Sequence, residues 1–274
     1  MDNTAARLPA AADRTRNSRY ATQHVEPVPG NLAVEIFAAP RIATPRKPRH
    51  CAAAPPSLVT FEIHTHLDPG LWLQCNGGTT AQKRPALFLD RDGVLVEEIN
   101  YLHTVADLRI IPAATSIVRA ANERGIPVVI VTNQSGVGRG YYGWAEFAVV
   151  QAALADSFAQ DGAHFDMILA CAYHTDAEAP YDTPNHPWRK PQPGMLHAAA
   201  ETLELDLPRS WIVGDSASDI GAGRNAGLAG GVHVATGHGR RDRDKALALA
   251  TAEFDVRAEA SIEGAEQILT LCTA

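Results

Sequence analysis

Two aspartates that follow a short apolar run are the residues of this chain best placed to do chemistry. Residues 86–93 read Ala-Leu-Phe-Leu-Asp-Arg-Asp-Gly, and the apolar part is typical of a buried strand. Asp90 and Asp92 follow that strand, at the point where open sheets of parallel strands bind ligands. Carboxylates at this spacing can share a metal ion or divide the work of nucleophile and proton donor. Taken alone, the string is equally compatible with a strand followed by a polar turn.

Three further polar groups complete a set that could transfer a phosphoryl group. One apolar run ends at Thr132, another ends at Asp215, and Lys190 lies in a proline-rich loop. Asp90 and Asp215 would supply oxygen ligands to Mg²⁺. Thr132 and nearby backbone N–H groups would hold the phosphoryl oxygens, whose charge Lys190 would neutralise.

The elements that must position these groups alternate along the chain from residue 85 onward. The predicted strands are 86–90, 127–132, 167–172, 210–214 and 231–235. The predicted helices are 113–124, 143–160, 194–205, 217–226 and 261–271. This alternation predicts an α/β fold, a Rossmann-like and mainly parallel sheet with helices on both faces. Parallel strands place their carboxyl ends at one edge, which would bring Asp90, Thr132 and Asp215 together.

In this order, the motifs resemble those of the haloacid dehalogenase-like phosphatase superfamily. The closest likeness is to its branch of D-glycero-D-manno-heptose 1,7-bisphosphate phosphatases and histidinol phosphatases. The resemblance covers about residues 84–272 and rests on segments 89–94, 98–102, 131–140, 189–195 and 213–215. Members of the branch have no large cap domain. The resemblance therefore implies that the loops 96–108 and 173–190 shape the pocket.

The resemblance also implies a role for each acid. Asp90 would be the nucleophile that forms an aspartyl-phosphate, and Asp92 would be the general acid and base. Asp90, Asp215 and the backbone carbonyl of Asp92 would bind Mg²⁺. Asp219 would either orient the metal shell through water or act as an acid at a helix N-terminus.

Candidate substrate contacts lie next to these motifs and in the first of the two loops. They are Glu98, Tyr101, Asn133, Gln134, Ser135 and Arg189. A guanidinium suits planar, two-pronged contacts, so Arg189 is a candidate for gripping a second anionic or polar group. Glu98 and Tyr101 could equally be solvated loop residues.

These residues predict a Mg²⁺-dependent phosphatase that acts on a small phosphorylated sugar. Within the resembling branch, heptose 1,7-bisphosphate, cleaved at its 7-phosphate, is the first candidate substrate. Histidinol phosphate or another small phosphorylated metabolite is the alternative. A non-catalytic protein that binds a phosphorylated ligand is a third hypothesis, although it would need neither Asp90 nor Asp92.

Charge and hydropathy exclude several classes of partner. Residues 1–84 hold 10 Lys/Arg and 6 Asp/Glu, whereas residues 85–274 hold 14 and 25. An acidic catalytic segment argues against nucleic acid as a partner. No apolar stretch approaches the roughly 20 residues that span a membrane. We expect a monomeric protein in the cytoplasm.

The chain changes character near residue 83. Residues 1–83 hold 9 of the 18 prolines and show little periodicity, a composition typical of disorder. We interpret this part as a disordered or dispensable extension, and residues 84–274 as the phosphatase domain. Scattered arginines in the extension leave a targeting or docking segment as an alternative, although acids interrupt them.

Members of the resembling branch often hold a structural Zn²⁺ with a Cys-x-His pair and a Cys-x-Cys pair. Here the matching positions read Cys-Ala-Tyr at 171–173 and His-Pro-Trp at 186–188. Cys171, His174 and His186 could supply three ligands, but their spacing is irregular. We therefore expect no structural zinc. The four cysteines are scattered without a Cys-x-x-Cys pair and are expected to be reduced thiols.

Overall fold

The structure is a computed structural model that describes residues 62–63, 68–78 and 82–272. The strands are β1 Glu62–Ile63, β2 Leu71–Cys75, β3 Leu87–Leu89, β4 Val128–Asn133, β5 Met167–Cys171, β6 Trp211–Gly214, β7 Gly230–Val234 and β8 Asp255–Glu259. The α-helices are α1 Ala114–Glu123, α2 Ser135–Gly138, α3 Trp144–Gln160, α4 Gly194–Leu203, α5 Ala217–Asn225, α6 Gly239–Leu247 and α7 Glu266–Leu269. Short 3-10 helices occur at Val105–Asp107, Leu207–Arg209 and Ile262–Ala265.

All the described strands belong to one sheet, in the order β1-β2-β5-β4-β3-β6-β7-β8. The neighbours from β5 to β8 pair in parallel. β1 and β2 form an antiparallel edge next to β5. The central position of β3, between β4 and β6, places the end of β3 in the middle of the sheet's carboxyl edge. The predicted mainly parallel, Rossmann-like sheet is confirmed.

Helices cover both faces of the sheet. Successive residues of a strand point to opposite faces, and each face packs in its own apolar cluster. Leu87 and Leu89 pack in one cluster, and Phe88 packs in the other. Side chains of α1, α3 and α7 complete the first cluster, while side chains of α4, α5 and α6 complete the second. In the described part of the chain no cap domain interrupts this arrangement. None of its helices combines the length and the hydropathy that a bilayer crossing requires.

The five predicted strands are all present with nearly the predicted limits. Four of the five predicted helices likewise agree. The fifth, 261–271, is divided between a 3-10 helix and α7. Sequence reasoning missed β8 and also α6. The residues of α6 are mostly charged, and its buried residues are Gly239 and Ala246, so its sequence shows no apolar face.

Residues 68–78, on the amino-terminal side of the expected boundary near residue 83, include a strand of the sheet. β2 pairs antiparallel with β5 along its whole length, from Leu71 opposite Cys171 to Cys75 opposite Met167. Trp72 is buried, and its ring centroid lies 5.8 Å from that of Trp144 and 5.4 Å from that of Phe147. An apolar run of three residues gave no periodicity, so only its partner strand identifies it as part of the core. The rest of residues 1–83 lies outside the described residues, apart from 62–63 and 82–83.

Trp72→Ala is expected to lower the free energy of unfolding by about 3–5 kcal/mol, because it empties a packed aromatic site. Removal of residues 1–81 should be at least as destabilising, since it also removes the β2 pairing. Removal of residues 1–60 should leave stability unchanged if that part is dispensable. Urea unfolding followed by circular dichroism measures all three.

The control is Val149→Ala, at an exposed apolar residue of α3, which should change stability by less than about 0.5 kcal/mol. If Trp72→Ala unfolds at the same urea concentration as the control, β2 contributes nothing to the core.

Candidate active site

Three strand ends place polar side chains at the middle of the carboxyl edge of the sheet. Leu89 of β3 pairs with Ile130 of β4 on one side and with Val213 of β6 on the other. The next residue, Asp90, donates its backbone N–H to the Val213 carbonyl at 3.0 Å. Thr132 and Asp215 therefore flank Asp90, as the parallel order predicted.

Asp90 is buried, and its carboxylate meets a buried cation. Lys190 Nζ donates to Asp90 Oδ1 at 2.8 Å. Burial raises the pKa of the Asp90 carboxyl above its ordinary value of 3.8, Lys190 opposes that rise, and Asp219 and Asp92 add to it. Asp90 thus needs nearby positive charge to be ionised in this position.

Lys190 has every N–H of its ammonium group occupied. Besides Asp90, Nζ contacts the Val131 carbonyl at 2.7 Å and Asp219 Oδ1 at 2.6 Å. Burial opposes the charge, but the two acids outweigh it and raise the pKa of Lys190. The side-chain amide of Asn133 holds the Lys190 backbone from both sides, accepting its N–H at 3.1 Å and donating to its carbonyl at 3.2 Å.

Asp215 lies in a cradle made by the loops after β3 and β7. Its Oδ2 accepts the backbone N–H of His238 at 2.6 Å. Gly93 and Gly237 have φ angles of 83° and 51° and approach this carboxylate so closely that a Cβ on either would collide with it. Burial raises the pKa of the Asp215 carboxyl, and the charges of Asp90 and Asp219 raise it further.

Asp219 combines a helix-capping role with contact to Lys190. Its Oδ2 accepts from the backbone N–H of Ser216 at 2.9 Å and from the Ser216 hydroxyl at 2.8 Å, which forms a capping box at the start of α5. This geometry agrees with the interpretation of Asp219 as an acid at a helix N-terminus. Its other oxygen faces the acid cluster through Lys190.

The donor set at this edge fits a divalent cation that prefers oxygen ligands. Asp90, Asp215 and Asp219 each offer an oxygen, and these atoms lie within 4.8 Å of one another. Burial raises the pKa of the Asp90 and Asp215 carboxyls, and repulsion between like charges at this separation adds to the rise. A bound cation would relieve that repulsion, and carboxylate oxygen is the ligand type that Mg²⁺ takes. The backbone carbonyl of Asp92 remains a predicted ligand.

Asp92 is paired with a second buried cation, Arg91. Both of its oxygens accept from the guanidinium of Arg91, with Arg91 Nη2 2.9 Å from Oδ2. Gln134 Nε2 donates to the same oxygen at 3.0 Å. The Asp92 side chain keeps 18% exposure, so it can still reach a ligand in the cavity.

A cavity of about 360 Å³ opens over these groups, and every predicted site residue lines it. The predicted residues on its wall are Asp90, Asp92, Glu98, Tyr101, Thr132, Asn133, Gln134, Ser135, Arg189, Lys190 and Asp215. The described hydrogen bonds of the Asn133 and Gln134 side chains go to protein groups, so these side chains help to position other residues of the site. Their role as substrate contacts stays a prediction.

The predicted substrate contacts that lie in loops, Glu98, Tyr101 and Arg189, line the cavity. Asn100 and Tyr101 have φ angles of 57° and 66°. Two consecutive non-glycine residues in this region store strain of about 1–3 kcal/mol each, which is commonly found at functional sites. Burial raises the pKa of the nearby Glu98 carboxyl, and Asp92 adds to that rise. Arg189 donates Nη1 to the Tyr173 carbonyl at 2.8 Å.

Sequence reasoning missed several wall residues. They are Arg91, Asn100, Leu102, Gly136, Tyr142, Ser216, Ser218, His238, Arg241 and Asp242. His238 and Arg241 belong to the segment after β7, which holds none of the predicted site residues. Arg91 lies between the two aspartates of the Asp-Arg-Asp motif, and this position was the one sequence feature that could have indicated a role for it in the site. Nothing in the local sequence distinguishes Tyr142 from its neighbour Tyr141.

The loop after β5 reaches the cavity only through Arg189 and Lys190 of its predicted range 173–190. Cys171 Sγ lies 4.0 Å from His186 Nδ1, and burial raises the pKa of the Cys171 thiol to about 12. His186 instead stacks on Tyr173 at 3.9 Å between ring centroids, and His174 lies against Arg139. In the described ranges the acids are the group whose ligand atoms converge. The expectation of no structural zinc stays a prediction.

Similarity to known proteins covers this same part of the chain. A family model described as HAD-hydrolase-like, where HAD denotes haloacid dehalogenase, matches residues 187–256. The chain is 46% identical over 169 residues to the D-glycero-beta-D-manno-heptose-1,7-bisphosphate 7-phosphatase of Mesorhizobium japonicum. That alignment covers 61% of this chain and 78% of the relative.

Two solved structures share the fold. A HAD-like phosphatase from Mesorhizobium loti is 38% identical, with a TM-score of 0.68, and covers 77% of this chain and 96% of its own. The D,D-heptose 1,7-bisphosphate phosphatase from B. bronchiseptica, complexed with magnesium and phosphate, is 28% identical with a TM-score of 0.58. It covers 68% of this chain and 98% of its own. The sheet, the acid cluster and this degree of identity together show that the chain belongs to the haloacid dehalogenase-like phosphatases.

Proposed function

We propose that this protein is a Mg²⁺-dependent phosphatase that removes the 7-phosphate of D-glycero-D-manno-heptose 1,7-bisphosphate through an aspartyl-phosphate. The observation that carries the proposal is the convergence of the Asp90, Asp215 and Asp219 carboxylates, with the Lys190 ammonium in contact with both Asp90 and Asp219. Both relatives named for heptose bisphosphate support the choice of substrate. A monomeric protein acting in the cytoplasm is part of this proposal.

The first half of the reaction uses Asp90 as nucleophile. An oxygen of its carboxylate attacks phosphorus in line, the bond from phosphorus to the sugar oxygen breaks, and the phosphoryl group remains on Asp90. Protonated Asp92 gives its proton to the departing sugar oxygen. Lys190 keeps Asp90 ionised before the attack, and its charge stabilises the equatorial oxygens of the transferring group.

The second half regenerates the carboxylate. Asp92, now ionised, takes a proton from a water molecule, and that water attacks the phosphorus of the aspartyl-phosphate. Inorganic phosphate leaves, and Asp90 recovers its free carboxylate. The Thr132 hydroxyl is placed to donate a hydrogen bond to a phosphoryl oxygen in both halves.

Asp90 and Asp215 would hold Mg²⁺, with Asp219 close enough to assist. When bound, the ion supplies positive charge that offsets the repulsion between the Asp90 carboxylate and the phosphate. Two observations support this assignment. The carboxylate oxygens converge, and the pKa values of Asp90 and Asp215 are raised.

The cavity suits a polar substrate of sugar size. Its wall offers carboxylate, amide and hydroxyl groups to sugar hydroxyls, among them Glu98, Asn100 and Ser218. Arg189 and Arg241 also lie on the wall and supply positive charge for a second phosphate. A bisphosphorylated sugar would contact both the polar groups and the arginines. A monophosphate with an imidazole ring has no second phosphate for the arginines.

Purified protein with Mg²⁺ should release inorganic phosphate from heptose 1,7-bisphosphate faster than from histidinol phosphate, and EDTA should abolish the release. Asp90→Asn should lose more than about a thousandfold in activity while remaining folded, because only the nucleophile's charge is removed. The matched control is Asp156→Asn, at an exposed aspartate of α3, with full activity expected.

A faster rate on histidinol phosphate would reassign the substrate. No release from any phosphate ester would leave a phospho-ligand-binding protein.

Asp92→Asn and Lys190→Ala are expected to fail in different ways. Asp92→Asn removes the proton donor, so formation of the aspartyl-phosphate should slow much more for a sugar phosphate than for a nitrophenyl phosphate, whose leaving group needs little protonation. Lys190→Ala should slow both esters alike, by more than about a hundredfold. It should also lower stability by about 3–5 kcal/mol, since Asp90 and Asp219 lose their buried partner. Rapid-quench measurement of the first step compares the variants. Equal losses for Asp92→Asn on the two esters would show that Asp92 is not the general acid.

Mg²⁺ should raise the melting temperature more at about pH 8 than at about pH 6. The pKa values of the Asp90 and Asp215 carboxyls in the folded state lie above their ordinary value of 3.8, so the metal-free fold loses stability as pH rises from that value. The cation binds the ionised form and reverses this loss. Thermal unfolding with saturating MgCl₂ or EDTA measures the difference at each pH. Asp215→Asn, as control, should remove most of the Mg²⁺ effect, and an equal Mg²⁺ effect at both pH values would contradict the assignment.

A further inference from the structure

Three buried side chains form a hydrogen-bonded chain behind Asp92. Arg91 and Gln134 are 1% and 2% exposed, and Tyr142 is buried at their far side. The Tyr142 hydroxyl donates to Gln134 Oε1 at 2.6 Å, and Arg91 Nη2 lies 3.2 Å from the same oxygen. Neither Arg91 nor Tyr142 is among the site residues that the sequence predicted.

The partners of Gln134 determine which way its amide points. A guanidinium can only donate hydrogen bonds, so the amide atom that faces Arg91 must be the oxygen. The amide nitrogen must then face the other way, where Nε2 lies 3.0 Å from Asp92 Oδ2 and 2.8 Å from Thr132 Oγ1. Gln134 therefore donates to an acid and to a hydroxyl of the proposed reaction at once.

This orientation also determines what Thr132 can do. A hydroxyl has one proton to donate and can accept hydrogen bonds on its oxygen. Since the Thr132 oxygen accepts from Gln134, its own proton is left for a phosphoryl oxygen in the cavity. A reversed amide would compete for that proton.

Arg91 holds the carboxylate of Asp92 from its inner side. Its Nε and Nη2 reach both oxygens, with distances of 2.9 to 3.2 Å. The guanidinium carbon lies 5.2 Å from the centre of the Phe147 ring, which packs over it. A paired guanidinium held against an aromatic ring keeps a fixed orientation, so the Asp92 rotamer is fixed as well.

The place of Tyr142 is prepared by its neighbours. Its ring stacks on His103 at 5.5 Å between centroids. Gly136 lies where a Cβ would collide with the rings of Tyr142 and Tyr101. Burial raises the pKa of Tyr142 to about 12, so its hydroxyl keeps the proton that it donates to Gln134.

We propose that Tyr142, Gln134 and Arg91 are positioning residues that aim the Asp92 carboxylate at the leaving oxygen and the Thr132 proton at the phosphoryl group. This inference rests on the proposed phosphatase function and adds residues that act on the reaction through Asp92 and Thr132. Tyr142 acts at one remove, by fixing the amide of Gln134.

The test is Tyr142→Phe, which removes one hydroxyl and keeps the ring. Rapid-quench rates of the first step are compared for heptose 1,7-bisphosphate and for nitrophenyl phosphate, with Mg²⁺. The sugar phosphate should react about tenfold more slowly, the effect of one lost hydrogen bond in the network. The nitrophenyl ester should lose distinctly less, because its leaving group hardly needs Asp92. Tyr141→Phe is the matched control, since Tyr141 is 57% exposed and should react at the wild-type rate.

A double-mutant cycle separates positioning from a general loss of structure. In the Asp92→Asn background, Tyr142→Phe should slow the sugar phosphate reaction by much less than in the wild-type background. Equal losses on both esters, or the same factor in both backgrounds, would overturn the proposal. If Tyr142→Phe does not fold, Arg91→Lys replaces it, because it keeps the charge without the two-pronged contact, and the same selective loss is expected. A wild-type protein that releases no phosphate would instead refute the proposed function.

Discussion

Several carboxylates packed at one buried edge of a sheet impose the constraint on which the site depends. Repulsion between like charges grows as water is excluded, so each acid needs a partner of opposite charge or a donor. Lys190 serves Asp90 and Asp219 together, and Arg91 serves Asp92. The Asp215 carboxylate receives only a backbone N–H, from His238, among its described hydrogen bonds. The remaining negative charge is what a divalent cation would balance.

The two cations divide the site into halves with different work. On the Lys190 side, the acids gather around the place where phosphoryl charge would be stabilised. On the Arg91 side, Gln134 donates to the Asp92 carboxylate and to the Thr132 hydroxyl, and Tyr142 donates to Gln134. In the proposed reaction, charge stabilisation and proton transfer would each be supported by separate contacts. Buried polar networks of this kind are costly unless every member finds a partner.

The antiparallel edge adds a support that the parallel sheet lacks. β2 covers β5, and residues just before β2 contact the loop that leads to Arg189 and Lys190. Asp68 accepts from the Tyr173 hydroxyl at 2.7 Å, and its other oxygen lies 3.8 Å from His186 Nε2. These contacts join the loop to the sheet. A segment that sequence composition marked as expendable therefore contacts the loop that carries Arg189 and Lys190.

The sequence by itself determined the mainly parallel sheet and the meeting of Asp90, Thr132 and Asp215, because apolar runs that end in polar residues indicate both burial and the edge of the sheet. Only the tertiary structure decided the work of Gln134 and Asn133, which the motif presents as substrate contacts but whose amides hold Asp92 and Lys190. It also decided the inclusion of β2, a run too short to show a period, and the choice of Tyr142 over Tyr141. Hydrogen-bond direction and strand pairing depend on partners far away in the chain, and local pattern carries no record of them.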